Sequence, residues 1–374
     1  MFDPWTEPQL SASAEVEWAQ RALRGIMTIE DIILGERRRE ALRVRGRLLV
    51  DAEEAYERLA PVARARGRTL LLRREGEDIL AIFIEGVIRP EPNNRWVPIL
   101  LAILTVISVH TTYVLLWVSD EFSLAGLWRN LGKGWPFTLS LLGILLTHEL
   151  GHYFMARHHG VAVTLPYLIP FPMSLFGTMG AVIRMKDIPP SRRAMLRIGA
   201  AGPLAGLLVA VPITLIGLSL SEVGPLPPEG GYVMEGNSLL YALLKIAVFG
   251  RFLPSGGEDV LLHAMALAGW AGLLVTSFNL MPAGQLDGGH VAYALWGRWA
   301  RYATWGVIGL LVVLGLVVWQ GWLIWAGLVF FFARQQVAPL NDVSTLSAGE
   351  KALAVLILAL FVLMFTPLPL KIVA

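Results

Sequence analysis

The 374-residue sequence predicts a mostly α-helical, polytopic membrane protein of six or seven transmembrane helices. A membrane-associated β-hairpin and a small soluble α+β N-terminal domain complete the predicted fold. Three observations carry this. The composition is 55% hydrophobic and only 16% charged, with a mean hydropathy of +0.59, far from a soluble profile. Apolar stretches of about 20 residues recur after position 96. The first 95 residues, by contrast, are polar and dense in charge.

Residues 1–95 are therefore assigned to the soluble domain and 96–374 to a membrane-embedded domain. The N-terminal part begins acidic and contains no apolar run of signal-peptide length, so no cleavable signal is expected. Its second half alternates and then becomes helical: a strand at 41–50, a helix at 51–66, and strands at 69–73 and 79–84 around the turn Glu75-Gly76-Glu77-Asp78. This pattern resembles half of a ferredoxin-like fold. The 16 arginines of residues 1–95 are offset by 17 acidic residues, so they read as a solvated surface, and no nucleic-acid partner is expected.

In the membrane domain, apolar spans are expected at 97–118, 135–156, 195–220, 260–282 and 303–318, with a short one at 322–333 and a last at 352–366. As a single helix, residues 302–333 would reach about 48 Å, too long for a hydrocarbon core of about 30 Å. A tight hairpin is expected there, with Trp319, Trp322 and Trp325 at an interface; one tilted helix would reduce the count from seven to six. The loop 157–197 holds Arg157, Arg184, Lys186, Arg192, Arg193 and Arg197, whereas 221–259 holds Lys245 and Arg251 against five acidic residues. The positive-inside rule places the former loop, the N-terminal domain and the ends of the motif-bearing helices at the cytoplasmic face.

The span 135–156 contains His148-Glu149-Leu150-Gly151-His152. One helical turn separates the histidines, so both imidazoles reach one metal ion while Glu149 faces its water as a general base. An ionised Glu at mid-bilayer costs about 3 kcal/mol, and such residues face cavities and carry function. A catalytic zinc takes three protein ligands and leaves the fourth position to water. The best third ligand in the chain is Asp287, in Asn279-Leu280-Met281-Pro282-Ala283-Gly284-Gln285-Leu286-Asp287-Gly288-Gly289, where Pro282 and the glycines let a helix end and turn the carboxylate inward. The sequence has no cysteine, which excludes thiolate sites and disulfides. One zinc per chain is expected, at matched depth on the two helices.

HELGH on one membrane helix, Gly199, Gly202, Pro203 and Gly206 as a GxxGPxxG run on the next, and NxxPxxxLDGG on a later one resemble the site-2 protease family of intramembrane zinc metalloproteases. The resemblance covers roughly residues 97 to 300 and implies His148, His152 and Asp287 as zinc ligands, Glu149 as catalytic base and Asn279 near the reacting carbonyl. It also implies cleavage within a transmembrane segment, with single-span membrane proteins as substrates. The loop 221–259 is too short for a PDZ domain and no CBS pair follows the membrane region, so the similarity is to the type without either.

Between the zinc helix and the next span, Pro166, Pro170, Pro172, Gly177 and Gly180 oppose a helix and suit a re-entrant hairpin. Gly177, Thr178, Met179, Gly180 and Ala181 are expected to offer an edge for strand addition by an extended substrate. The small residues from 199 to 206 are expected to let their helix pack closely on the zinc helix. His110 and His263 read as packed or interfacial, His158 and His159 as headgroup residues, and His290 as support for the metal site. Two rival readings stand beside the protease: a metal-ion transporter, since histidines and carboxylates also line ion paths, and an inactive receptor that keeps the fold. Transport has no need for Glu149 beside His148, and inactivity is opposed by the intact motifs.

Overall fold

The computed structural model describes residues 12–35, 40–87, 94–227, 231–333 and 337–373. The chain forms two compact units, one of 1–91 with 187–195 and 338–347, the other of the remaining residues.

The first unit opens with α1 (Ala12–Leu23) and β1 (Asp31–Leu34), neither of which the sequence pattern predicts, followed by β2 (Glu40–Gly46), α2 (Ala52–Ala65), β3 (Arg68–Glu75) and β4 (Asp78–Glu85). Its sheet runs β1-β2-β4-β3, antiparallel throughout. The order β2-β4-β3 with α2 between the first two strands in sequence is the split β-α-β arrangement that the alternation implied. Asp51 starts α2 by accepting from the Glu53 backbone N–H at 2.8 Å, with Glu53 and Glu54 in the first turn, where the helix dipole favours acids. Period-two burial puts Leu42 and Val44, Leu70 and Leu72, and Ala81 and Phe83 under α1 and α2, against Ala19, Leu23, Ala55 and Leu59. Each such Leu or Phe contributes about 2 kcal/mol of burial.

The outer edge of β3 is covered by a remote piece of the chain. Leu72 donates its N–H to the Leu340 carbonyl at 2.9 Å and accepts from Asp342 at 3.1 Å, a parallel bridge centred on Leu72 and Asn341. That piece in turn donates from Leu340 and Asn341 to the carbonyls of Pro189 and Pro190, both at 2.9 Å. Arg73 donates to the carbonyls of Pro339 and Leu340, Asn341 Nδ2 to that of Ala52, and Arg193 pairs with Glu53 at 2.9 Å. Leu340 and Val343 join the same apolar core.

The second unit begins with α3 (Trp96–Tyr113), extended by a π-helical turn at Val114–Val118, then α4 (Leu124–Asn130) and α5 (Trp135–His158). The hairpin β5 (Tyr167–Pro170) and β6 (Thr178–Val182) follows as a separate two-stranded sheet, where the prolines and glycines predicted non-helical backbone. Next come α6 (Arg192–Ser219), whose first turn belongs to the first unit, β7 (Glu222–Pro225), β8 (Tyr232–Glu235), α7 (Leu239–Phe249), β9 (Glu258–Leu261) and α8 (Ala264–Asn279). The chain ends with α9 (Asp287–Trp296), α10 (Ala300–Val317), α11 (Gly321–Leu328), α12 (Ala348–Met364) and β10 (Leu370–Val373).

Three stretches among the described residues are long and apolar enough to cross a membrane: Trp96–Val118, Arg192–Ser219 and Asp287–Val317. They correspond to the spans expected at 97–118, 195–220 and 303–318. Leu239–Phe249, Ala264–Asn279 and Gly321–Phe331 are shorter apolar helices; the 16 residues of α8 reach about 24 Å. Residues 302–333 form a helical hairpin, α10 turning back at 318–320 into α11 so that Gly315 faces Leu323. Trp322 is fully buried, with its indole N–H on the Pro367 carbonyl, so it packs inside the unit instead of at an interface.

Candidate metal centre

The site is built on α5, α6 and α9. His148, Glu149 and His152 all lie on the buried face of α5. The opposite contact is set by glycine: a Cβ on Gly151 would meet the Ala201 carbonyl oxygen at 2.5 Å, so the backbone of α6 lies directly against α5. Gly202 is closer still, under the His152 ring, where any Cβ would overlap the imidazole. The small-residue run thus performs the packing role expected of it.

This closeness puts the Ile198 carbonyl 2.8 Å from His152 Nδ1. A carbonyl only accepts, so Nδ1 carries the proton and Nε2 presents its lone pair, as a metal-ligating imidazole requires. Asp287 arrives as the first residue of α9, after a return from α8 anchored by the Gly284 N–H on Thr304 Oγ1 at 3.1 Å. Its Oδ2 lies 3.1 Å from both His148 Nε2 and His152 Nε2, and the two Nε2 atoms are 3.2 Å apart.

Three ligand atoms in a near-equilateral triangle fit a zinc ion. Tetrahedral bonds of 2.0–2.1 Å separate ligand atoms by about 3.3–3.4 Å, close to the observed edges. His148, His152 and Asp287 are the one group of this kind among the described residues. His148 and His152 are buried and the Asp287 side chain is 17% exposed, the residual exposure opening into a cavity of about 190 Å³.

Glu149, Asn279, Gln285 and His290 line that cavity beside the ligands. Ala181, Val182, Ile183 and Met185 form the wall on the side of β6. Of the five hairpin residues expected to meet substrate, Ala181 is in this wall. Gly177 packs instead on the backbone of Ser108 and Val109. Thr178 holds the hairpin itself, its hydroxyl donating to the Ile169 carbonyl at 2.8 Å and accepting from the Gly180 N–H at 2.9 Å. Met179 is 62% exposed, and Gly180 sits at a φ of +99°. Val182, Ile183, Met185 and Gln285 were not singled out by sequence; the first three closely follow Ala181, and extending the expected segment 177–181 towards Met185 would have found them.

The other histidines are separate. His110 bonds Thr138 Oγ1 and the Leu131 carbonyl, and His263 caps α8 by accepting from Met265. His158 and His159 close α5.

Residues 136–317 match peptidase family M50. The chain is 32% identical over 245 residues to the probable zinc metalloprotease EGY2, chloroplastic, of Arabidopsis thaliana, covering 64% of this chain and 43% of that protein. It is 36% identical over 238 residues to the Arabidopsis thaliana EGY1, covering 62% and 42%, and 33% identical over 244 residues to EGY1 of Oryza sativa subsp. japonica, covering 63% and 40%. The matched region thus spans less than half the length of these relatives. No solved structure matches the chain. With the HELGH and LDGG motifs brought to one triangle of ligand atoms, and with relatives described as zinc metalloproteases, residues 136–317 of the chain are a region of peptidase family M50, the site-2 protease family.

Proposed function

We propose that the protein is an intramembrane zinc endopeptidase that hydrolyses a peptide bond in or near the transmembrane segment of a single-span membrane protein, with one zinc per chain. The observation that supports this best is the triangle of His148, His152 and Asp287 with Glu149 beside it at an open cavity. A zinc ion held there would supply Lewis-acid chemistry, activating water near neutral pH and polarising the substrate carbonyl.

The chain's own residues do the rest. Glu149 accepts a proton as the water oxygen bonds to the carbonyl carbon, and returns it to the amide nitrogen as the C–N bond breaks, leaving a carboxyl and an amine. Asn279 offers an amide donor from the cavity wall. A substrate helix must be opened before its backbone can enter, and the freed groups then need partners. Among the described residues β6 has β5 as its one strand neighbour, so its other edge is suited to pairing with an extended substrate. Residues 177–181 act in this reading through the hairpin and Ala181 through the wall. The helices are read as six or seven spans in a lipid bilayer. On the charge asymmetry of the loops, the first unit and residues 157–197 face the cytoplasm.

The test is cleavage of a panel of single-span substrates by the purified protein and by Glu149→Gln, with and without chelator. Wild type should cleave, chelator should stop it, and the variant should keep its zinc but lose at least about 100-fold in rate, the low end of general-base contributions. Wild-type cleavage by Glu149→Gln removes Glu149 from the mechanism. Zinc flux into liposomes with no cleavage by wild type establishes the transporter instead.

A further inference from the structure

His290 is the polar side chain of the cavity that the reading above leaves without a task. It sits three residues after Asp287 on α9, so both project from one helix face. Its ring lines the same cavity as Glu149 and Asn279. It does not belong to the group of ligand atoms that lie within 4.8 Å of one another, so the fourth metal position stays open for reaction. The first turn of α9 is regular, the His290 N–H bonding the Leu286 carbonyl at 2.9 Å.

Its direction is fixed from behind. A Cβ on Gly199 would meet the His290 Cβ at 3.1 Å and the Asp287 carbonyl oxygen at 3.2 Å, so the backbone of α6 presses on the base of the side chain and leaves the ring the cavity to occupy. No hydrogen bond joins that ring to another described residue. The residue is half-buried at a cavity that water can enter, so a ring N–H there is available to an acceptor that a bound substrate brings.

We propose that His290 is a catalytic residue that donates its imidazole N–H to the carbonyl oxygen of the bond being cleaved, opposite the Asn279 amide. Asn279 ends α8 and His290 lies on α9, with the metal-ligating Asp287 between them in sequence. An oxygen gaining negative charge between two such donors is stabilised where a ground-state carbonyl is stabilised less, which accelerates the chemical step. This inference rests on the peptidase reading of the site.

Two substitutions separate donation from packing. His290→Phe keeps a ring without an N–H, and His290→Gln keeps a donor without a ring. Full-length wild type and both variants are assayed on one single-span substrate, with zinc measured by elemental analysis. In His290→Phe, kcat should fall about 100-fold, the effect of removing one such donor, with KM within twofold and zinc unchanged; His290→Gln should recover at least tenfold of that loss. Wild-type kcat in His290→Phe, or a failure of His290→Gln to recover it, overturns the role. Loss of zinc in both variants also overturns it, by making His290 a support for the metal. If wild type itself cleaves nothing, the peptidase reading falls and takes this inference with it, whereas cleavage by wild type and His290→Phe alike removes the inference alone.

Discussion

Gly202 lies beneath the imidazole of His152, with no room between them for a methyl group. The α6 backbone is therefore part of the candidate metal site, since the same approach delivers the Ile198 carbonyl to His152 Nδ1. Gly202→Ala must push α6 and the ring apart. Zinc content by elemental analysis should fall as far as in Asp287→Ala, which removes a ligand outright, and overpacking should cost about 1–3 kcal/mol. Gly143, on the same helix as His152 with nothing within 4 Å of its Cβ position, supplies the control: Gly143→Ala should bind zinc as wild type does. Full zinc in Gly202→Ala would show that α6 does not set the ligand.

Thr178 fastens the hairpin through its hydroxyl, not its methyl. Thr178→Val keeps the shape and β propensity and removes both bonds. Each is worth about 1 kcal/mol, so amide exchange at Gly180 and Ala181 should quicken and substrate cleavage should fall severalfold while zinc stays bound. Unchanged cleavage would confine the hairpin to a structural role.

The loop after α5 should be cytoplasmic. The absence of native cysteine makes single-cysteine labelling direct, and His158 is an exposed site for it; Ser191 is buried and would react poorly from either side. A cysteine replacing His158 should resist an impermeant thiol reagent in intact cells and react after permeabilisation. Labelling from outside would invert the proposed topology.

Glu15 of α1 takes hydrogen bonds from Arg68 at 2.7 Å and Arg66 at 3.2 Å, while both guanidiniums lie over the Trp18 ring. The Arg68 hydrogen bond, aided by Arg66, holds the Glu15 carboxyl below the usual carboxylate range against the opposing effect of burial. A lowered folded pKa contributes stability that is fully present above the ordinary Glu value and is lost as pH falls through the folded value. Glu15→Gln should therefore weaken exchange protection of α1 by about 2 kcal/mol at pH 7. The difference from wild type should shrink as pH falls below the ordinary Glu value and through the folded one. An equal difference at pH 7 and in acid would mean that the charge of Glu15 is not what holds α1.

Much of this architecture is written locally in the chain. The four-residue spacing of His148 and His152 is a helical period, Pro282 and the LDGG glycines mark the break that turns Asp287 inward, and alternation in 69–73 and 79–84 marks β3 and β4. What escaped the sequence depends on backbone groups or distant partners. The Ile198 carbonyl has no side-chain signature, and neither does the bridge between Leu72 and Asn341. The helix α1 declares its buried face through Ala19 and Leu23 only once the sheet is there to cover it. Ile183 and Met185 were hidden because the cavity wall runs on beyond the end of β6, past the glycines that drew attention to 177–181.

The bridge that seals β3 sets an order of events during synthesis. Arg73 waits for a carbonyl 266 residues further along, and at 5–20 residues per second the ribosome needs roughly 13–50 s to make them. For that time β3 is a newborn edge with unpaired N–H and C=O groups, open to any strand that passes. The sheet of the first unit, made before the helices that follow it, is thus among the last parts of the chain to be finished, and its completion records that the helices encoded in between have been made.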